Sequence, residues 1–245
     1  MKPNHSRFYL LITFLLFVVV LLGFGRTFFL RPFFPQPDHL TMETLPAGIF
    51  MHGLLMTLWY ILLIAQSALV NVKKVQIHMK MGWALAVVAV LLVVFAMPVM
   101  TGFAPRLLEL GFLNLDNPRA VQFQNTMWTN DLTSIVVYSS MITIGILNRK
   151  NIALHRTMML FGSMAFLAPA AVRMFSWIVP EQVMPAATIL FVLFPISVLI
   201  HDWIQFKKFP KYAFGGFVIL LVVIFATFLL PTTEFWTAVF LNHLK

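Results

Sequence analysis

The chain has 245 residues, 60% of them hydrophobic and only 10% charged, with a mean hydropathy of +0.90; a soluble globule of this composition would leave large apolar areas facing water. The net charge of +9 comes from short basic clusters set between apolar runs, which is the pattern of membrane topology signals and not of a nucleic-acid-binding surface. The absence of cysteine excludes disulfides, thiolate-ligated metals, iron–sulfur clusters and a cysteine nucleophile, leaving His and Met as the borderline and soft ligands.

A helix needs about 20 residues to cross a hydrocarbon core of roughly 30 Å. Seven runs approach that length: 8–30, 47–70, 81–100, 126–147, 157–179, 183–200 and 212–230. The apolar part of the first lacks a small-x-small cleavage site before Arg26, so it is expected to be a retained span and not a signal peptide. The longest connection, 101–125, is punctuated by Pro105, Asn117 and Pro118, and its stretch from Leu107 to Leu113 suits an interfacial turn or short helix. No soluble domain, linker or low-complexity tract interrupts the pattern. The expected architecture is all-α: one transmembrane domain over 1–245, an integral membrane bundle of seven helices.

Orientation follows from the loops. With the N-terminus in the cytoplasm, the inner segments hold Lys2 and Arg7, then Lys73, Lys74 and Lys80, then Arg149, Lys150 and Arg156, then Lys207, Lys208 and Lys211. The outer segments hold Asp38, Glu43, Glu109, Asp116, Asp131, Glu181 and Glu234, leaving Asp202 as the single inner acid. This satisfies the positive-inside rule in all three short inner loops, and the expected location is a bacterial inner membrane. Expected partners are membrane lipids and other membrane-protein subunits, with no nucleic acid.

The second and fourth spans leave the membrane in similar ways. The segment Lys73, Lys74, Val75, Gln76, Ile77, His78, Met79, Lys80 and Met81 recurs loosely as Arg149, Lys150, Asn151, Ile152, Ala153, Leu154, His155, Arg156, Thr157, Met158 and Met159. In both, a basic pair is followed by a His that opens the returning helix. The basic pair carries almost no specificity, because any inner loop favours it; the matched His and Met carry more.

Ionisable residues inside spans cost a few kcal/mol on insertion scales, which makes each a functional candidate. An inner cluster comprises His78, His155 and His201, the last beside Asp202, with Met79, Met81, Met158 and Met159 within one turn of the first two. His with Met suits haem iron or Cu(I); equally, such residues sit at the headgroup level as helix caps and lipid-facing bulk. An outer cluster comprises His52, Asn130, Asp131 and Arg173. Arg173 follows His155 by about 27 Å of continuous helix, which puts it near the opposite face, where an Asp–Arg pair lowers the cost of burying either charge. Trp59, Gln66 and Gln124 are weaker candidates. No HExxH motif, Gly-rich phosphate loop or GxSxG elbow is present, and no span holds the Lys of a retinal protein, since Lys245 follows the last span. Pro98, Pro169 and Pro195 are scattered, unlike the paired interruptions of broken-helix transporters.

The segment from His52 through Gly53, Trp59 and Gln66 to His78, Lys80 and Gly82 resembles a hairpin of uncharacterised bacterial membrane proteins, and the segment from Leu154 to Arg173 resembles a later one. That resemblance spans the second to fifth runs and implies a fold and residues to watch, without a reaction. More distantly, the chain is similar to the cytochrome b561 group, in which histidines on neighbouring helices ligate b-type haems. This resemblance implies a haem b on His78 and His155, with Lys73, Lys74, Arg149 and Lys150 near the propionates; a second haem lacks its pair, because His52 has only Asn130 and Asp131 opposite. Three functions are therefore expected: a haem or copper protein of electron transfer or respiratory-chain maturation, with His201 a further metal ligand; a small-solute or proton-coupled binding or transport protein using the outer cluster; or a structural subunit of a membrane complex.

Overall fold

The computed structural model describes residues 3–36 and 46–244, with side chains described from Arg7 onward. Lys2, Asp38, Glu43 and Lys245, used above for topology or to exclude a retinal site, lie outside the described residues. Among the described residues all regular structure is helical. The helices are α1 (Pro3–Phe24), α2 (Ala47–Asn71), α3 (Val75–Glu109), α4 (Pro118–Leu147), α5 (Ile152–Ala165), α6 (Leu167–Ile178), α7 (Val183–Phe206), α8 (Lys211–Leu229) and α9 (Glu234–His243). Six spans are long and apolar enough to cross a membrane, and a seventh is counted if α5 and α6, bent by 46° at their junction, form one span.

Three departures from the expected boundaries have local causes. The fifth run breaks at Phe166 because Pro169 has no N–H for the helical ladder and its ring crowds the carbonyl of Ala165, four residues earlier. The arithmetic that set Arg173 along a straight helix from His155 therefore does not hold. The expected loop from 101 to 125 is mostly helix: α3 runs through Pro98 and Pro105 to Glu109, and α4 begins at Pro118, where Asn117 accepts hydrogen bonds from the Arg119 and Ala120 amides. Each proline forfeits one ladder bond, a loss that 35 residues of α3 absorb. Third, α1 closes in a π-turn over Gly25–Phe29, with the Leu30 amide donating to Gly25 O at 2.7 Å.

The central helix is α5. Every residue from Thr157 to Ala165 is buried, as expected of a helix enclosed on all sides. Small residues let neighbours approach it: a Cβ on Gly216 would lie 2.7 Å from the Phe161 ring, and one on Gly162 would lie 2.9 Å from Ile142. From α2, Trp59 Nε1 donates to Ser163 Oγ at 3.0 Å and Tyr60 Oη to Ser163 O at 2.8 Å. Both rings are fully buried, so these bonds satisfy polar atoms that have no water to turn to. Large apolar side chains such as Phe14, Val90, Val94, Ile189, Val222 and Phe225 face outward, which fits a lipid-facing surface. The short α9, which no apolar run announces, docks Phe240 against Ala104 and Val121 and donates Trp236 Nε1 to Thr129 Oγ1 at 2.7 Å.

Chain connectivity and cross-helix contacts gather the basic loops at one end of the bundle, with Tyr9 bonded to Asp202 and Asn151 to Tyr212 there. The first turn of α2 and the last turns of α6 and α8 lie at the far end.

Candidate functional site

At the far end the helices surround a partly open cavity of about 520 Å³ lined by residues from every span, within the roughly 300–1,000 Å³ of pockets that hold small molecules. Three features shape it. The break between α5 and α6 exposes Ala165, Phe166, Ala168 and Pro169 to the cavity. The π-turn carries Phe28 over Gly53, where an added Cβ would lie 2.5 Å from the ring. The wall is largely aromatic and aliphatic, with polar groups set into it.

All four residues of the expected outer cluster line this cavity: His52 from α2, Asn130 and Asp131 from α4, and Arg173 from α6. They do not close into an ion pair. Asn130 Nδ2 donates to Asp131 Oδ1 at 3.3 Å, and Arg173 Nη1 donates to Pro169 O at 3.2 Å. The Arg173 guanidinium carbon sits 4.9 Å from the centre of the Phe24 ring. Asp131 and Arg173 feel each other's charge, yet the ion pairs formed by the described residues involve Asp202 and not these two. The expected Asp–Arg bond is thus replaced by two charges on one cavity wall. His52 Nδ1, Ser134 Oγ and Thr227 Oγ1 are buried and lack hydrogen-bond partners, although buried polar atoms are ordinarily paired. Ser134, Thr227, Thr27 and Arg31 escape sequence reasoning, because hydroxyl residues in spans usually bond their own helix and Arg31 ends a run where it reads as a boundary marker.

At the basic end the His78 and His155 rings come together, with centroids 6.3 Å apart and planes at 85°. The His155 Nδ1 lies 2.8 Å from Gly145 O; a carbonyl accepts only, so Nδ1 is the donor, and in the neutral ring this tautomer leaves the lone pair on Nε2. His78 Nδ1 is buried without a partner, as is Gln66 Oε1. Met158 and Met159 are buried nearby, whereas Met79 is 61% exposed and turned away.

His201 does not join this pair. Its ring stacks on Phe8 at 3.7 Å, and its Nδ1 lies 3.4 Å from Asp202 Oδ1. Among the described residues no group of three His, Cys, Asp or Glu side chains could hold a metal ion, so His78, His155 and His201 do not form one ligand set. His201 belongs instead to a knot on the buried Asp202. There Tyr9 Oη donates to Oδ1 at 2.8 Å and Arg156 Nη2 to Oδ2 at 2.7 Å, with the guanidinium 4.2 Å above the Tyr9 ring. This knot ties α1, α5 and α7 together through Arg156, which in the sequence reads only as a topology signal.

These elements define an all-α, multi-pass membrane protein with a polar-studded cavity at one end and a paired-imidazole and ion-pair layer at the other. No family model, curated protein or solved structure matches the chain.

Proposed function

We propose that this protein binds a small solute in the far-end cavity, as a membrane receptor or the binding stage of a transporter. The observation that carries the proposal is the gathering of His52, Asn130, Asp131 and Arg173 on one cavity wall without an Asp131–Arg173 ion pair. Asp131 is half-buried and Arg173 exposed, so a solute in the cavity can bond both charges. A purely structural salt bridge would instead have closed on itself. With the N-terminus in the cytoplasm of a bacterium, as the basic loops favour, the cavity faces the outer side of the inner membrane. The test is thermal stability of the purified protein in lipid nanodiscs across a panel of organic acids, amines and neutral solutes. At a concentration of 100 Kd, binding stabilises by about 2.7 kcal/mol. Stabilisation lost in Arg173→Ala and kept in His78→Ala supports the proposal, whereas a panel without effect, or equal loss in both variants, removes it.

A second reading rests on the imidazole pair. His78 and His155, whose ring centroids lie 6.3 Å apart, are the residues that would hold a metal ion or haem iron between them. The Gly145 carbonyl would fix the His155 tautomer that leaves Nε2 free, as second-shell acceptors do in metal sites. A haem b or a copper ion is the proposed occupant. An absorption spectrum and metal analysis of protein purified from cells supplied with haem precursor and copper test it; a Soret band or bound copper lost in both His78→Ala and His155→Ala supports it, and wild-type protein showing neither discards it.

A further inference from the structure

Two charged side chains of the far-end cavity are within a ligand's reach, and they are opposite in sign. Asp131, from α4, is half-buried; Asn130 Nδ2 donates to its Oδ1 at 3.3 Å, while its Oδ2 takes no hydrogen bond and is not sealed from solvent. Arg173, from α6, is exposed; its Nη1 donates to Pro169 O at 3.2 Å, and its Nε and Nη2 make no hydrogen bond among the described residues. The third charged residue of the lining, Arg31, offers a ligand no bond, because its Nε and Nη2 are sealed off and its Nη1 is spent on Thr27 O at 2.8 Å.

Each open charge is thus held by a neutral neighbour that positions it without neutralising it, and the Phe24 ring, 4.9 Å from the Arg173 guanidinium carbon, covers one side of that group. The two charges attract each other without forming an ion pair. A solute with only an anionic group would satisfy Arg173 and be repelled by Asp131, and an amine would meet the reverse. A solute that carries both groups satisfies both side chains, and it brings no net charge to a site whose reachable charges sum to zero. Beyond these groups the wall is hydrocarbon and aromatic, with Phe28, Phe123, Met184 and Phe228 among its residues.

We propose that the cavity selects a zwitterion with an apolar body, its cationic group on Asp131 and its anionic group on Arg173. This rests on the binding function proposed above and adds the class of solute. A free compound such as an α-amino acid and the headgroup of a zwitterionic lipid share this chemistry.

The experiment measures saturable binding to the full chain in dodecyl maltoside, an uncharged detergent. The probes are radiolabelled phenylalanine and its two half-charged analogues: 3-phenylpropionate, which lacks the ammonium, and 2-phenylethylamine, which lacks the carboxylate. Phenylalanine should bind at least about tenfold more tightly than either, the worth of one charge-assisted hydrogen bond. The variants should cross over. Asp131→Asn is expected to weaken phenylalanine and 2-phenylethylamine and to leave 3-phenylpropionate unchanged or tighter; Arg173→Gln is expected to weaken phenylalanine and 3-phenylpropionate and to leave 2-phenylethylamine unchanged or tighter. The analogue that each variant retains reports that its fold is intact. Added lipid separates the sources. Displacement of phenylalanine by phosphatidylethanolamine and not by phosphatidylglycerol assigns the zwitterion to the bilayer, and binding undisturbed by both assigns it to a free compound; both agree with the proposal. If either analogue binds wild type as tightly as phenylalanine, if a folded variant weakens both analogues alike, or if phosphatidylglycerol displaces phenylalanine as well as phosphatidylethanolamine does, the zwitterion assignment is overturned while the cavity remains a binding site. If none of the three probes binds saturably to wild type, both proposals fall.

Discussion

Replacing Gly23 by alanine probes a close backbone approach between α1 and α6. Gly23 on α1 faces Ala170 on α6, and an added Cβ would land on the Ala170 carbonyl oxygen, 2.7 Å from its carbonyl carbon and 2.8 Å from its Cα. Backbone atoms cannot rotate away as a side chain does. Restoring an ordinary 3.4 Å contact to the carbonyl carbon alone requires α1 and α6 to part by about 0.7 Å, and the oxygen requires more; packed interiors resist such shifts at a cost of about 1–3 kcal/mol. The higher helix propensity of alanine returns at most about 1 kcal/mol. Gly102→Ala on α3 is the matched control, since a Cβ there meets nothing within 4 Å; it gains the propensity without the clash. In thermal denaturation in one detergent, Gly23→Ala should melt several degrees below wild type, taking about 2–4 °C per kcal/mol for a chain of this size, and Gly102→Ala at or above it. Gly23→Ala melting at or above wild type would refute the close approach. The displacement also bears on the cavity, because Ala168, Pro169 and Arg173 sit within one turn of Ala170.

Three other outcomes follow from particular contacts. Tyr9→Phe removes a 2.8 Å hydrogen bond to a buried carboxylate and should cost about 1.5–3 kcal/mol; Arg156→Ala removes the guanidinium 2.7 Å from Asp202 and should cost more, with part recovered in Arg156→Ala/Asp202→Ala, all read as melting temperatures. Ser134→Ala removes a buried hydroxyl that has no partner, so the melting temperature should stay level or rise; a fall beyond about 1 kcal/mol would show that the hydroxyl is bonded in the folded protein. Pro169→Ala restores the missing donor at the 46° break and should straighten α5 into α6. Spin-label distances between the start of α5 and the end of α6 would lengthen, and solute stabilisation would be lost; an unchanged distance would show that neighbouring helices, and not Pro169, hold the bend.

The helical class and the membrane-spanning character were legible in the sequence because both depend on local composition: the length of apolar runs and the number of charges within them. The candidate residues were legible for the same reason, as an ionisable group in an apolar run stands out wherever it goes. Boundaries were less so. Prolines inside α3 looked like punctuation yet were absorbed by the length of the helix, while Pro169 broke a shorter one against the packed core.

What the sequence by itself determined was depth. A residue's place along a straight helix follows from a fixed rise of about 1.5 Å, so His78 and His155 fell at one end and His52 and Asp131 at the other, while Arg173, beyond the 46° bend, was not fixed by that arithmetic. Tertiary structure alone decided azimuth and neighbours, because these depend on which helices pack together and how they rotate. It paired His78 with His155 but turned His201 to Phe8 and Asp202. It set Asp131 and Arg173 on one wall without letting them pair, and it buried Arg31, which the sequence presents only as a boundary charge, leaving its Nε and Nη2 unpartnered.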